Sequence, residues 1–145
     1  MVGKSDCSLS DNQISGEYTR IVIRDVEDLR VYKQSLEVLR KVYELVGQLP
    51  RISERLVKQI TASAESIPAL IVEGFGKRRS PKEFKRFLEM AMGSSDETIT
   101  HAKVIKILAE KFPRIPRKLC EEVEAEYRSI SKQINKLVTV WSDFR

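Results

Sequence analysis

The stretch Arg117 to Arg145, RKLCEEVEAEYRSISKQINKLVTVWSDFR, decides the fold. Its apolar residues Cys120, Val123, Tyr127, Ile130, Ile134, Leu137, Trp141 and Phe144 recur at alternating steps of three and four. That spacing lines them along one seam of an α-helix, as in a coiled coil. Glu121, Glu122, Glu124 and Glu126 come early, Lys132 and Lys136 late, the order a helix dipole favours. A long helix with one apolar seam must bury it against other helices, so the question becomes where its partners lie.

Upstream, Pro113 and Pro116 enclose a short connection, and Pro116 is placed to open this fourth helix. Before it, Ser80-Pro81-Lys82-Glu83 reads as a helix start, with a hydroxyl at the N-cap, proline at N1 and a carboxylate at N3 for a capping box. Phe84, Phe87, Leu88, Ala91, Ile99, Ala102 and Ile105 mark the core face of this third helix to about Lys111. Ser95 and Thr98 fall on the same face, either bonding back to helix carbonyls or marking a wetter layer of the core.

The second helix is expected from an N-cap at Ser53, with Leu56, Ile60, Ile67 and Ile71 inward and small residues at Ala62, Ser63, Ala64 and Ser66. Pro68 predicts a kink over Ala64 to Pro68, and Gly74 to Gly76 an end. The first helix runs from Leu29 to Leu49, where Pro50 stops it. It carries two apolar rows, one of Tyr32, Leu36, Leu39, Tyr43 and Val46 and one of Val38, Val42, Leu45 and Leu49. Four long helices joined by short turns predict an all-α, antiparallel up-down-up-down four-helix bundle over residues 28–145. Residues 1–27 form a flexible tail and then an extended arm. Its stretch from Tyr18 to Val26 alternates, so it either packs along the bundle, pairs with another copy or stays loose.

A chain of 145 residues can bury a core without disulfides or metal. Cys7 and Cys120 lie far apart and outside any CxxC or Cys/His cluster, which removes a zinc or dithiol reading and leaves Cys120 as a small core residue. There is neither a secretory apolar core at the N-terminus nor a run of about 18 apolar residues, so the expectation is a cytoplasmic protein with no membrane partner.

The stretch from Lys77 to Arg86, KRRSPKEFKR, holds Lys77, Arg78, Arg79, Lys82, Lys85 and Arg86 against the single acid Glu83. Its net charge equals the +5 of the whole chain, so the remainder sums to zero. Cations beside a helix N-terminus suit phosphate, and the alternative is a solvated turn whose charges serve only solubility. No stacking platform accompanies the cluster, since Phe75 is the only nearby aromatic expected to be exposed, and it can instead be tucked under the turn. Contact with nucleic acid would therefore be electrostatic and salt-dependent. No GxxxxGK[ST] loop occurs, and the sole histidine, His101, stands beside no nucleophile motif. Glu73 and Glu97 are the candidates for inward-facing carboxylates, but the ExxH pairs of di-iron bundles are missing, so both are read as structural and no cofactor or catalytic residue is assigned.

DLRVYKQSLEV at 28 to 38, Gln59, SIPA at 66 to 69, EGFGKRRSPKEFKRFL at 73 to 88, and Gly93-Ser94 followed by Glu97 occur in an order that resembles the bacterial four-helix-bundle family of 23S ribosomal RNA intervening-sequence proteins. The resemblance spans about residues 28 to 110. It implies the bundle, a homopentameric ring, and kinship with the accessory variability determinants of diversity-generating retroelements, which work with a reverse transcriptase and bind nucleic acid. The chain departs from the family's usual pattern at Thr61 and Ala62, where a basic pair is customary, at Leu70 in place of asparagine, and at Ser95 and Thr98 in place of leucines. The expected function is a non-enzymatic, oligomeric RNA-binding bundle, accessory to an RNA-processing or reverse-transcribing partner. The rival is a self-assembling protein-interaction scaffold with no RNA role.

Overall fold

The computed structural model describes residues 22–141. The tail over residues 1–17, the arm's residues 18–21 and Phe144 lie outside the described residues. The described end of the arm forms no strand. Asp25 instead caps a 3₁₀ turn over Val26–Asp28, accepting from the Glu27 amide at 3.0 Å. The Asp28 carboxylate reaches back to the amides of Asp25 at 2.9 Å and Arg24 at 2.8 Å. Those two amide bonds hold the Asp28 carboxyl below the usual carboxylate range. Ile23 and Val26 pack against the core.

The first helical arm comes in two pieces, α1 (Arg30–Glu37) and α2 (Leu39–Val46), joined at Val38. Val38 keeps right-handed helical angles, φ −67° and ψ −20°, so the chain carries on through the junction. Of the two apolar rows, the one through Val38, Val42 and Leu45 enters the core, together with Val31 and Ser35. Leu36 and Tyr43 from the other row remain 41% and 46% exposed. The first stripe faces the bundle axis, and the second row packs at its margin through Tyr32, Leu39 and Val46 while Leu36 and Tyr43 lie on the flank, where the Tyr43 hydroxyl donates to Glu65.

Pro50 leads into a 3₁₀ turn, Arg51–Ser53, and then α3 (Glu54–Gly76). Ser53 does not cap that helix as expected: its hydroxyl donates back to the Pro50 carbonyl at 2.6 Å. Pro68 sits inside α3 without breaking it. The third helix, α4 (Pro81–Leu108), ends short of Lys111, which lies in the following turn. Helix α5 (Arg117–Trp141) buries Cys120, Val123, Tyr127, Ile130, Ile134 and Leu137, as its seam requires. Burial raises the Cys120 thiol pKa, which keeps it unreactive.

The two halves of α1–α2 together with α3, α4 and α5 form the up-down-up-down bundle. Gly74 meets Phe87 and Ser63 meets Thr98 across α3 and α4. Phe84 stacks edge-on to Trp141, with centroids 4.6 Å apart, and Ser95 meets Tyr127 across α4 and α5. In both pairs of helices one number rises as the other falls, so neighbours run antiparallel. The first arm is held at its edges, by Gln34 to Glu126 at 2.9 Å and by Lys41 beside Glu122 and Glu126.

Ser95 and Thr98 are fully buried, and the core there is polar but bonded. Thr98 donates back to the Ser94 carbonyl at 2.8 Å and lies 2.8 Å from the Ser63 hydroxyl. Ser95 donates to the Tyr127 carbonyl at 3.0 Å, with the Ser131 hydroxyl 2.8 Å from it. Glu124 is almost buried between Lys106, 3.3 Å from its Oε1, and Arg128, 3.6 Å from its Oε2; the Lys106 contact is an ion pair without the alignment of a hydrogen bond.

Tyr127 is the exception. Its hydroxyl is buried with no hydrogen-bond partner among the described residues, and the loss of water drives its pKa far above the usual phenol value. A buried polar group without a partner carries its desolvation cost uncompensated. Tyr127→Phe is therefore expected to raise stability by up to about 1 kcal/mol, read as a higher urea midpoint at unchanged m-value. A lower midpoint would reveal a partner for the hydroxyl.

Candidate nucleic-acid interface

The basic turn joins the C-terminal end of α3 to the N-terminal end of α4. Two features of the local sequence build it. Gly74 allows α4 to come so close that a Cβ there would stand 2.6 Å from Phe87 Cβ and 3.2 Å from Phe84 Cδ1. Ser80, in extended conformation, accepts from the Glu83 amide at 3.3 Å and starts α4. Only this half of the capping box forms, because the Glu83 carboxylate turns instead to Arg86, at 3.0 and 3.4 Å. That bond to Arg86 holds Glu83 below the ordinary carboxylate range.

The structure brings all six predicted cations to one end of the bundle and sorts them into two sets. Lys77 lies 3.8 Å from Glu73 and 4.7 Å from the Phe87 ring centre. Arg86 is paired with Glu83 and lies over the same ring at 4.6 Å. Arg78 stacks on Phe75 at 4.1 Å and donates to the Phe75 carbonyl at 3.1 Å. Charge–ring attraction and ion pairing fix these three heads close to the surface. By contrast, the side chains of Arg79, Lys82 and Lys85 have no hydrogen-bond or ion-pair partner among the described residues. Arg79 and Lys82 are exposed and Lys85 is half-buried, so these three can turn toward an incoming anion.

The backbone of the helix start offers less than the sequence suggests. Pro81 has no amide hydrogen, the Glu83 amide is taken by the Ser80 hydroxyl and the Phe84 amide by the Ser80 carbonyl at 3.1 Å. Among the described residues only the Lys82 amide finds no partner in this first turn. An anion here is held mainly by side chains, with the helix dipole as a minor contribution. Phe75 is tucked rather than exposed, at 6% accessibility and edge-on to Phe84 at 6.1 Å. The faces of Phe75 and Phe87 are covered by cations, so neither of these rings is open for a base to stack on.

Glu73 and Glu97 do not face inward. Their side chains are 55% and 59% exposed, Glu73 against Lys77 and Glu97 against His101 at 3.2 Å. Among the described residues no three of His, Cys, Asp and Glu converge as metal ligands, and no helix is long and apolar enough to cross a membrane. Leu70, at a position where the resembled family carries asparagine, packs half-buried against the core. Sequence reasoning missed Phe87 as the ring that positions Lys77 and Arg86, because spacing alone marks it as a core residue. In comparison with known proteins, residues 27–136 match the family described as 23S rRNA-intervening sequence protein. No curated protein matches the chain.

Proposed function

Taking as premise that the chain belongs to the 23S rRNA-intervening sequence protein family, we propose that it is a non-enzymatic RNA-binding bundle whose α3–α4 turn grips phosphates. The observation that carries this reading is the sorting of the turn. Lys77, Arg78 and Arg86 are anchored on rings and carboxylates, while Arg79, Lys82 and Lys85 stand beside them with no partner among the described residues. Anchored cations give a fixed positive surface, and free ones can reach phosphates without first breaking an existing pair. With the Phe75 and Phe87 rings covered, binding there follows backbone charge and shape rather than base sequence.

The proposal includes self-assembly, for which Leu36, Tyr43 and Val72 offer exposed apolar side chains on α1, α2 and α3. It also includes service to an RNA-processing or reverse-transcribing partner, which co-purification from the native host would test. If those apolar side chains are the whole function, the rival scaffold reading holds and the protein assembles without RNA.

The test is affinity for a structured RNA at rising salt. Arg79→Glu, Lys82→Glu and Lys85→Glu together are expected to weaken binding at least tenfold at 0.1 M salt. The slope of log affinity against log salt should become shallower by roughly one for each phosphate that is no longer neutralised. Affinity that does not fall with salt, or that survives these three reversals, removes the turn from the interface.

A further inference from the structure

Outside the segment from Lys77 to Arg86 the charges of the chain cancel in sum, but the fold does not leave them mixed. The α2–α3 connection and the α4–α5 connection meet at the end of the bundle opposite the turn. There Lys58, Lys106 and Arg117 are committed to Glu54, Glu124 and Glu121. Arg51, Arg55, Lys103, Lys111, Arg114 and Lys118 are all exposed, and none of their side chains has a partner among the described residues. Glu44 and Glu110 are the carboxylates of that end in the same state, since Glu122 is drawn to Lys41. Twice as many unpartnered cations stand here as at the turn.

The same end carries the two most exposed large apolar side chains of the described residues, Ile52 at 81% and Ile107 at 64%. Ile52 sits in the three-residue turn before α3 and Ile107 in the last turn of α4. Isoleucines among unpaired cations present an apolar contact ringed by positive charge. A polyanion with apolar faces along its length, an RNA segment with unstacked bases, fits both. A membrane surface fits less well, because the cations come from three separate segments around the end of the bundle and no amphipathic helix lies flat there.

We propose that this far end is a second RNA-binding surface, so that one bundle holds two phosphate backbones, or two parts of one RNA, at its opposite poles. The spacing is set by α4, whose 28 residues at 1.5 Å each separate the poles by roughly 40 Å. The proposal rests on the RNA-binding reading above for its ligand class, but on different residues.

The experiment uses the full chain and two probes, an RNA hairpin and a single-stranded RNA oligonucleotide, titrated from low to high salt. The far-end variant is Arg51→Glu, Arg55→Glu, Lys111→Glu and Arg114→Glu; the turn variant is Arg79→Glu, Lys82→Glu and Lys85→Glu. The turn variant is expected to keep a residual, salt-dependent affinity. The far-end variant should lose about tenfold or more at 0.1 M salt, and the combined variant should lose salt-dependent binding altogether. Glutamine versions of the far-end changes should give a smaller loss of the same sign, and unchanged helicity and melting midpoint confirm the fold.

If the far-end variant matches the original in affinity and salt slope while the turn variant does not, this inference falls and the turn remains the interface. If only the far-end changes matter, the turn reading falls and this one stands. If the original chain binds neither RNA, both fall. Loss of binding to vesicles of phosphatidylserine and phosphatidylcholine, with RNA binding intact, would overturn the RNA assignment of the far end.

Discussion

Phe84→Ala is expected to destabilise the bundle by about 3–5 kcal/mol. The ring is fully buried, edge-on to Trp141 of α5 at 4.6 Å and to Phe75 of α3 at 6.1 Å, and it lies 3.2 Å from where a Cβ on Gly74 would stand. Removing it deletes a large apolar surface and two aromatic pairings from three helices at once. The neighbours cannot collapse into the gap, because each is tied to a different helix. Against a typical stability of 5–15 kcal/mol the loss is large, and a fall in melting temperature on the order of 10 °C should follow. Phe84 sits four residues after Ser80, so the loss will loosen the turn as well. RNA affinity should fall along with stability, unlike in the charge variants, which keep the fold. A midpoint shift below about 1 kcal/mol in equivalent free energy would mean that the ring is not the joint described.

The second large effect is a reversal of sign between two glycines. Glycine inside a helix costs about 1 kcal/mol relative to alanine, so propensity alone favours replacing both Gly74 and Gly93. Gly93 lies in the middle of α4 with nothing within 4 Å of an added Cβ, and Gly93→Ala should stabilise by about 0.5–1 kcal/mol. Gly74→Ala should instead destabilise by about 1–3 kcal/mol. The added carbon meets Phe87 Cβ at 2.6 Å, and a Cβ cannot swing aside without moving the backbone of α4. Paired urea melts decide it: midpoints moving the same way for both variants would mean that the close approach of α3 and α4 at Gly74 is not enforced by packing.

The bundle was readable because each later helix declares itself through one unambiguous pattern. The three-four seam of α5 is apolar on one side only, and Ser80 followed by Pro81 marks the start of α4 in a way few other conformations tolerate. The first arm was harder, since its two apolar rows look alike in sequence. Only the positions of α3 and α5 decide that Val38, Val42 and Leu45 go inward while Tyr43 lies along the flank and bonds Glu65. Ser53 misled for a similar reason, as a serine can cap or bond back to a carbonyl, and Pro50 had already turned the chain so that the carbonyl was nearer.

At the candidate site the cations themselves were legible as a contiguous run, and the pairings of Lys77 with Glu73 and of Arg86 with Glu83 follow from helical spacing. The role of Phe87 was not, because it depends on α3 and α4 meeting over one ring. The far-end cations were invisible for another reason. They are scattered over two connections and three helix ends, and only the antiparallel path gathers them. In a linear count they are lost among the carboxylates of the whole chain.

The buried hydroxyls of Ser63, Ser95 and Thr98, with half-buried Ser131 beside them, also limit how the helices can slide past one another. Apolar seams repeat every turn, so a helix displaced by one turn could still find greasy neighbours, and a bundle held by such seams alone would tolerate several alignments. Here a slip of α4 against α3 would part Thr98 from Ser63, although each keeps a bond to a carbonyl of its own helix, and a slip against α5 would part Ser95 from the Tyr127 carbonyl and Ser131. Ser95, left without its cross-helix partners, would cost about 1–3 kcal/mol. The hydroxyls therefore act as a vernier, setting one alignment among those the apolar seams would accept and keeping both charged poles at fixed places along the bundle axis.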